Sequence, residues 1–435
     1  MSELYKRRWL LIRLPVGLVG IAAAAYLWLV VYPMPPMQLS ITTAGRGDAY
    51  FKTAERYAQA FSTRGIELVV QPSAGSLQNQ ERLQLLDEPS DLALMQGGFG
   101  YLGNSVQKRG RSRIQTLANV DVEAFWIFDR QGEIDSLNQL EGKRVAVGPD
   151  GSGNRVVALK LLQQARVDLK DLTLSSQFGL ESVQGLEQKK IDVVMMVAPI
   201  QSATVQAMLK LPGIQIGNLR KAAAIAERNS YLELRLLAQG ALDGKLPQRD
   251  ITLLTTSTSL LAREDLNPAL KRLAIAVAME THTKSSVFYE AGDFPSLRRI
   301  DFPTAPQARR TMLHGLPFLE RTLPFWWAQV AQRALLIVLP IALLAIWLAR
   351  VIPNCLRWTL QSKVNRWYGE LKYIENDLAL ASTSGLDLTR FAQRLEGIDK
   401  ALIGFTCPPD LMARCYTLHQ HIEFVRQRLY RMRGR

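Results

Sequence analysis

The residues best placed to do chemistry lie between Leu140 and Leu162, LEGKRVAVGPDGSGNRVVALKLL. Lys143 to Gly148 reads as a short buried strand, Pro149-Asp150-Gly151-Ser152-Gly153 as a turn. Asn154 opens a helix whose Val156, Val157, Leu159, Leu161 and Leu162 recur at helical spacing. Unpaired backbone N–H groups and the helix dipole favour an anion at such a start, and Gly151 and Gly153 leave those amides unobstructed. The chemistry is recognition of a group such as a carboxylate. A glycine-rich turn also serves plain chain reversal in α/β domains, so this stretch gains weight from its neighbours. Its spacing is neither G-x-x-x-x-G-K-[ST] nor G-x-G-x-x-G, which argues against a nucleotide.

Patterns for catalysis do not accompany it. His282 and His314 lie far from any Ser, Cys or acidic pattern that would build a triad, and H-E-x-x-H and G-x-S-x-G do not occur. Glu264 and Asp265 are adjacent, so they face apart on a helix or strand. His419 and His421, two apart, point to different sides of a helix, and Cys355, Cys407 and Cys415 fit no zinc or heme spacing. The expectation is a protein that is not an enzyme, with no catalytic residue, cofactor or metal.

Other segments repeat the strand-to-turn-to-helix pattern. A strand from Gln38 to Thr43 leads through Ala44-Gly45-Arg46-Gly47-Asp48-Ala49-Tyr50 into a helix over about Phe51 to Ser62. Ile66 to Gln71 ends in Pro72-Ser73-Ala74-Gly75-Ser76 before a helix through Leu86, and Asp91 to Gln96 closes on Gly97-Gly98. Ile191 to Val197 runs into Ala198-Pro199-Ile200. Repeated units of this kind predict parallel sheet with a ligand crevice beyond the strand C-ends. Ala124 to Phe128 carries the chain out of a first lobe and Ile251 to Leu261 brings it back, and two crossings enclose a cleft able to close by hinge motion.

Two apolar stretches flank this region. Leu14 to Tyr32 carries no charge and is long enough, at about 1.5 Å per residue, to cross a bilayer core of about 30 Å. YLWLVVY stands where a cleavage region would be polar, so the stretch reads as an uncleaved anchor. Ala334 to Ala349 is shorter, preceded by Phe325-Trp326-Trp327 as an interfacial belt, with Arg333 needing a partner and Pro340 expected to kink the helix. A buried hairpin of a soluble protein is the alternative. The formal charge is +14, and its excess crowds these stretches: Lys6, Arg7, Arg8 and Arg13 before the first, and 14 Lys/Arg against 8 Asp/Glu from Arg350 onward. That placement indicates a membrane surface, not nucleic acid, and puts both termini in the cytoplasm with the middle domain outside. All three cysteines follow the second stretch, as expected of thiols in a reducing compartment. The last segment carries apolar residues at helical intervals (Val364, Trp367, Leu371, Ile374; Phe391, Leu395, Ile398), reading as a helical tail that could pair between subunits.

ITTAGRGDAYF, QPSAGSLQNQERL, SDLALMQGGFGY, LNQLEGKRVAVGPDGSGNRVVALKLL and IDVVMMVAPIQSATVQAML, in that order, resemble the TAXI family of solute receptors of TRAP transporters. The resemblance covers about Gln38 to Arg310, and PFWWAQVAQRALLIVLPIALL with RWYGELKYIE resembles a branch tethered by two transmembrane helices. It implies an α/β, type 2 periplasmic-binding fold of two hinged lobes. The expected layout is a cytoplasmic N-terminus (1–13), a transmembrane helix (14–32) and a solute-binding domain over 38–325. Within that domain lobe I takes about 38–120 and 258–320 and lobe II about 125–255; a transmembrane helix (330–350) and a cytoplasmic tail (353–435) follow.

Carried over residue by residue, the implied ligand-binding positions are Ala44, Gly45, Arg46, Gly47 and Tyr50, then Ser73, Ala74, Gly75 and Ser76. Gln96, Gly97 and Gly98 follow, then Gly151, Ser152, Gly153 and Asn154, and last Pro199. Gly97-Gly98 replaces the family's common Ser-Asp, and Asp48 and Asp150 are expected to point away from an anionic ligand. The function implied is a receptor in a bacterial inner membrane that captures a small, carboxylate-bearing solute for a TRAP-type permease. The alternative is a membrane sensor or scaffold whose outer domain signals to the tail or binds a protein partner.

Overall fold

The computed structural model describes residues 2–84, 89–102, 113–130, 132, 134–242, 246–381, 388–407 and 411–433. It divides into two compact units, Met34–Gln332 and the two terminal stretches Met1–Pro33 and Arg333–Arg435.

Strands β1 (Gln38–Thr42), β2 (Glu67–Gln71) and β3 (Leu92–Gln96) lie parallel, with β1 between the other two. Each is followed by a helix as its sequence pattern predicts. The helix Ala49–Ser62 presents Ala54, Tyr57 and Phe61 to a core that includes Leu39, Ile41 and Leu94, one face at the helical period. The helix after β2 is described from Ser76 to Gln84, and Leu86, its expected end, lies outside the described residues.

β4 (Ile114–Asp129) and β10 (Ile251–Arg263) are longer than ordinary strands because each serves two lobes. β10 runs antiparallel to β3 over Thr258–Ala262 and to β9 (Glu233–Leu237) over Ile251–Thr255. β4 pairs with β10 as far as Ala124 and from there with β7 (Val193–Ala198). In the second lobe β7, β5 (Arg144–Ala146) and β6 (Thr173–Ser175) are parallel, and the short β8 (Gln215–Ile216) extends β4. The strand order β2-β1-β3-β10-β4-β7-β5-β6 makes two α/β halves sharing a pair of crossing strands, the periplasmic-binding-protein-like fold. The helix Pro268–Thr281 returns to the first lobe, where Leu270, Leu273, Ala274 and Val277 join the core of Leu39 and Phe61.

Two helical segments are long and apolar enough to cross a membrane, Leu14–Val31 in the other unit and Phe325–Ile352, whose residues from Arg333 onward belong to it; the second is longer than the expected 330–350 because Phe325-Trp326-Trp327 are part of it. Their apolar side chains are exposed (Leu18, Val19, Leu336, Leu343, Trp347), so a buried soluble hairpin does not describe them. Arg333 finds the partner its position demands: Nε donates to the Tyr32 carbonyl at 3.1 Å and Nη2 to Pro33 at 2.8 Å. A π-helical turn (Ala334–Val338) leads into a helix that runs from Leu339 to Ala381 with Pro340 in its first turn. The wider turn sits where the missing proline N–H would leave carbonyls unpaired.

Leu339–Ala381, Leu388–Ile403 and Met412–Arg433 enclose a separate core of Val364, Leu371, Ile374, Leu395, Leu418 and Val425, among others. Cys407 and Cys415 form a disulfide there and Cys355 stays free and exposed, correcting the expectation of three thiols. His419 turns to Asp399 (3.3 Å) and His421 to Tyr368, so the two histidines diverge as their spacing requires.

Candidate functional site

Between the lobes of the Met34–Gln332 unit lies a cleft of about 510 Å³. Its walls include Ala44, Gly45, Arg46, Gly47 and Tyr50 from the turn after β1, and Ser73 to Ser76 after β2. Gln96 closes β3, and the second lobe adds Ser152, Gly153, Asn154 and Pro199. The structure thus gathers fourteen of the seventeen expected residues into one cavity.

The other three lie elsewhere. Gly151 is outside the cavity wall. Gly97 donates its amide to the Ser257 carbonyl on β10, and Gly98 donates to the Asp301 carboxylate. Gly98 has φ +103°, and a side chain there would stand 2.5 Å from the Tyr231 ring, so glycine is required for packing. Asp301 also takes the amides of Phe99 and Gly100, occupying a backbone nest that an external anion would otherwise fill; burial raises its carboxyl to about 6 against those bonds. Asp48 differs from expectation too. It lines the cleft, whereas Asp150 is 94% exposed and paired with Arg155 at 2.9 Å.

The loops hold their shape through two buried asparagines. Asn79 Oδ1 accepts from Thr42 Oγ1 (2.7 Å) and Ser73 Oγ (2.6 Å), and its Nδ2 donates to the Thr43 and Leu94 carbonyls (2.9 Å to the latter). One amide thereby ties the ends of all three parallel strands of the first lobe. Asn154 does the same in the second: Nδ2 donates to Val147 (2.8 Å) and Met195 (2.9 Å), and Oδ1 accepts from the Val197 amide at 2.6 Å. Asn154 therefore shapes the wall, its polar atoms being spent on β5 and β7. Ser152 caps the helix Gly153–Gln164 by accepting from Arg155 N, as its type and position lead one to expect.

Gly153 lets the second lobe come close against the first. A Cβ there would lie 2.9 Å from Gln96 Oε1, 3.0 Å from the Phe99 ring and 3.1 Å from Ser76 Oγ.

Sequence reasoning missed Glu123, which sits on β4 and lines the cleft while only 2% exposed. Its Oε1 accepts from the Tyr50 hydroxyl at 2.5 Å and from Thr258 Oγ1. Burial pushes its carboxyl up to about 8, the two hydroxyl bonds opposing the shift, and the same burial raises the Tyr50 phenol. A lone Glu in an apolar strand was its only sequence signal. Lys52 lines the cavity within electrostatic reach of Asp48, Arg46 lines it without a side-chain partner among the described residues, and Gln96 Nε2 is buried with no hydrogen-bond partner. Phe178, Leu180 and Met196 supply apolar surface. The arrangement can bind a small molecule with both polar and apolar parts. Among the described residues no cluster of His, Cys, Asp or Glu could hold a metal ion.

Similar solved structures include a protein of Bordetella bronchiseptica RB50 (16% identity, TM-score 0.39, covering 57% of this chain and 71% of that one). The periplasmic aliphatic sulphonate binding protein of Escherichia coli is similar at 16% identity and TM-score 0.35, over 57% of this chain and 70% of that one. A Prochlorococcus marinus protein in complex with methylphosphonate is similar at 13% identity and TM-score 0.39, over 58% and 88%. No curated protein matches the chain. A family model does match, over residues 41–284, more than half the chain and all of the cleft-lining loops: the protein belongs to the NMT1-like family.

Proposed function

We propose that this protein is a membrane-anchored solute-binding receptor of the TAXI type, holding a small carboxylate-bearing solute between two lobes for a TRAP-type permease in a bacterial inner membrane. The observation that carries the reading is the convergence of strand-end loops from both lobes on one cavity that retains unpaired donors, Arg46 and Gln96 Nε2. A carboxylate satisfies both and gains from the helix starts at Ser76 and Gly153. The two apolar helices tether the domain, with the basic residues beyond their outer ends kept inside. With two spans the chain does not itself form a permease and acts with one.

Native mass spectrometry of the full chain, purified in detergent without refolding, tests this. A small acid should co-purify, and its affinity should fall at least tenfold in R46A. A protein that carries no solute and shows no thermal shift with a panel of carboxylates overturns the reading. A second reading, a sensor that signals through the tail, draws on the tail's own buried three-helix core, more than a tether needs. Deleting residues 382–435 abolishes solute-dependent responses under that reading and leaves uptake unchanged under the first.

A further inference from the structure

A second cavity of about 170 Å³ lies against the crossing strands themselves, walled by Asn119 and Val122 of β4, Thr255 to Ser257 of β10, and the segment around Phe294 to Arg299. What distinguishes it is a surplus of donors. The Tyr231 hydroxyl and Thr256 Oγ1 are buried with no hydrogen-bond partner. Among the described residues the hydroxyls of Ser257 and Ser296 also make no bond and the Arg298 guanidinium has no acceptor. Buried donors are ordinarily satisfied, so two buried orphans on residues that wall one cavity call for an explanation.

The acidic groups nearby are already engaged. Glu233 is bracketed by two arginines, Oε1 at 3.0 Å from Arg299 Nε and Oε2 at 3.3 Å from Arg235 Nη2. Asp293 accepts the Glu290 amide at 3.0 Å. Arg299 also gives Nη1 to the Leu232 carbonyl (3.0 Å) from a backbone at φ +48°, a conformation uncommon for a side chain of this kind. Glu233 is shared between two arginines and Asp293 keeps its own negative charge, so the three arginines of the wall exceed its two carboxylates by one, and Arg298 is the arginine with no carboxylate partner among the described residues.

We propose that this hinge cavity binds a small oxyanion of phosphate size, seated on the Arg298 guanidinium and the hydroxyls of Tyr231, Thr256, Ser257 and Ser296. Only an acceptor-rich group satisfies so many donors together, and an anion matches the free positive charge. The cavity is separate from the solute cleft, no residue being common to the two walls. Because β4, β10 and the returning segment all contribute, an anion here braces the strands about which the lobes move, coupling oxyanion concentration to opening and closing.

The test is thermal unfolding and calorimetric titration of the full chain in detergent with inorganic phosphate, ionic strength being held constant with chloride. The expected result is a saturable upward shift in melting temperature in wild type and in R309A, Arg309 being exposed on the helix Pro306–His314. The apparent affinity should weaken about tenfold or more in R298A and in T256V. Arg298 is exposed and bonds to nothing through its side chain, so R298A retains the fold. An equal response in wild type and R298A, or none in wild type, overturns the proposal. A response lost in R46A but kept in R298A puts phosphate in the solute cleft, rejecting the hinge site while leaving the receptor reading intact.

Discussion

The Tyr50 hydroxyl donates to Glu123 Oε1 across 2.5 Å, joining the helix that opens the first cleft loop to a strand that crosses between lobes. Because burial holds Glu123 near 8, the folded state keeps its proton over a range where the unfolded chain has lost it. Below the unfolded carboxyl value near 4.5 both states are protonated and the group contributes no pH dependence. Stability then falls as pH rises from there to about 8, by at most about 1.4 kcal/mol per pH unit, and levels off above. Urea unfolding of E123Q between pH 5 and 8 should show a flatter dependence than wild type; identical slopes would remove Glu123 as the source.

Asn79 and Asn154 are expected to be worth more than their size suggests, since each satisfies groups on several strand ends. N79A and N154A should each lose roughly 2–4 kcal/mol, leaving backbone carbonyls or amides unpaired, whereas S152A should lose only about 1 kcal/mol with its helix cap. Chemical denaturation ranks the three. Equal losses would mean that the asparagine bonds are replaced by water.

Space at Gly153 governs how near the lobes come. A valine there meets Gln96 Oε1, the Phe99 ring and Ser76 Oγ at once, and its further methyl groups crowd that contact between the lobes. G153V should fold, scatter X-rays as a more open domain, and bind solute at least about tenfold more weakly. Wild-type affinity in that variant would show that closure does not pass through this contact.

Arg333, in the second apolar span, bonds the carbonyls of Tyr32 and Pro33 just beyond the end of the first. Nearby along the same pair of helices, Gly20 faces Ala345, a Cβ on Gly20 lying 3.4 Å from that of Ala345. In a background with Cys355 replaced by Ser, G20C with A345C should cross-link on oxidation in membranes. Adding R333A should lower the yield by exposing two carbonyls that nothing else pairs. An undiminished yield would assign helix pairing to packing alone.

Much of this protein is local and therefore legible from its residues. The strand-turn-helix units at β1, β2, β5 and β7 follow from apolar period, turn chemistry and the Ser152 cap, all decided within a few neighbours along the chain. The apolar spans follow from composition in the same way. Tertiary structure decided which polar groups face the cleft. Gly97 and Gly98 belong by pattern to the third loop, yet the Ser257 carbonyl takes the Gly97 amide and Asp301, about two hundred residues on, takes that of Gly98. Asn154 sits at a helix start and spends its amide on Val147 and on Met195 and Val197 of β7, while Glu123 joins the site only because β4 crosses beside Tyr50 and Thr258. The physical reason is that a backbone donor or a side-chain amide has no preference between a ligand and a remote strand until folding sets their distances. Local pattern specifies the loop, and the long-range partners decide what remains free to bind.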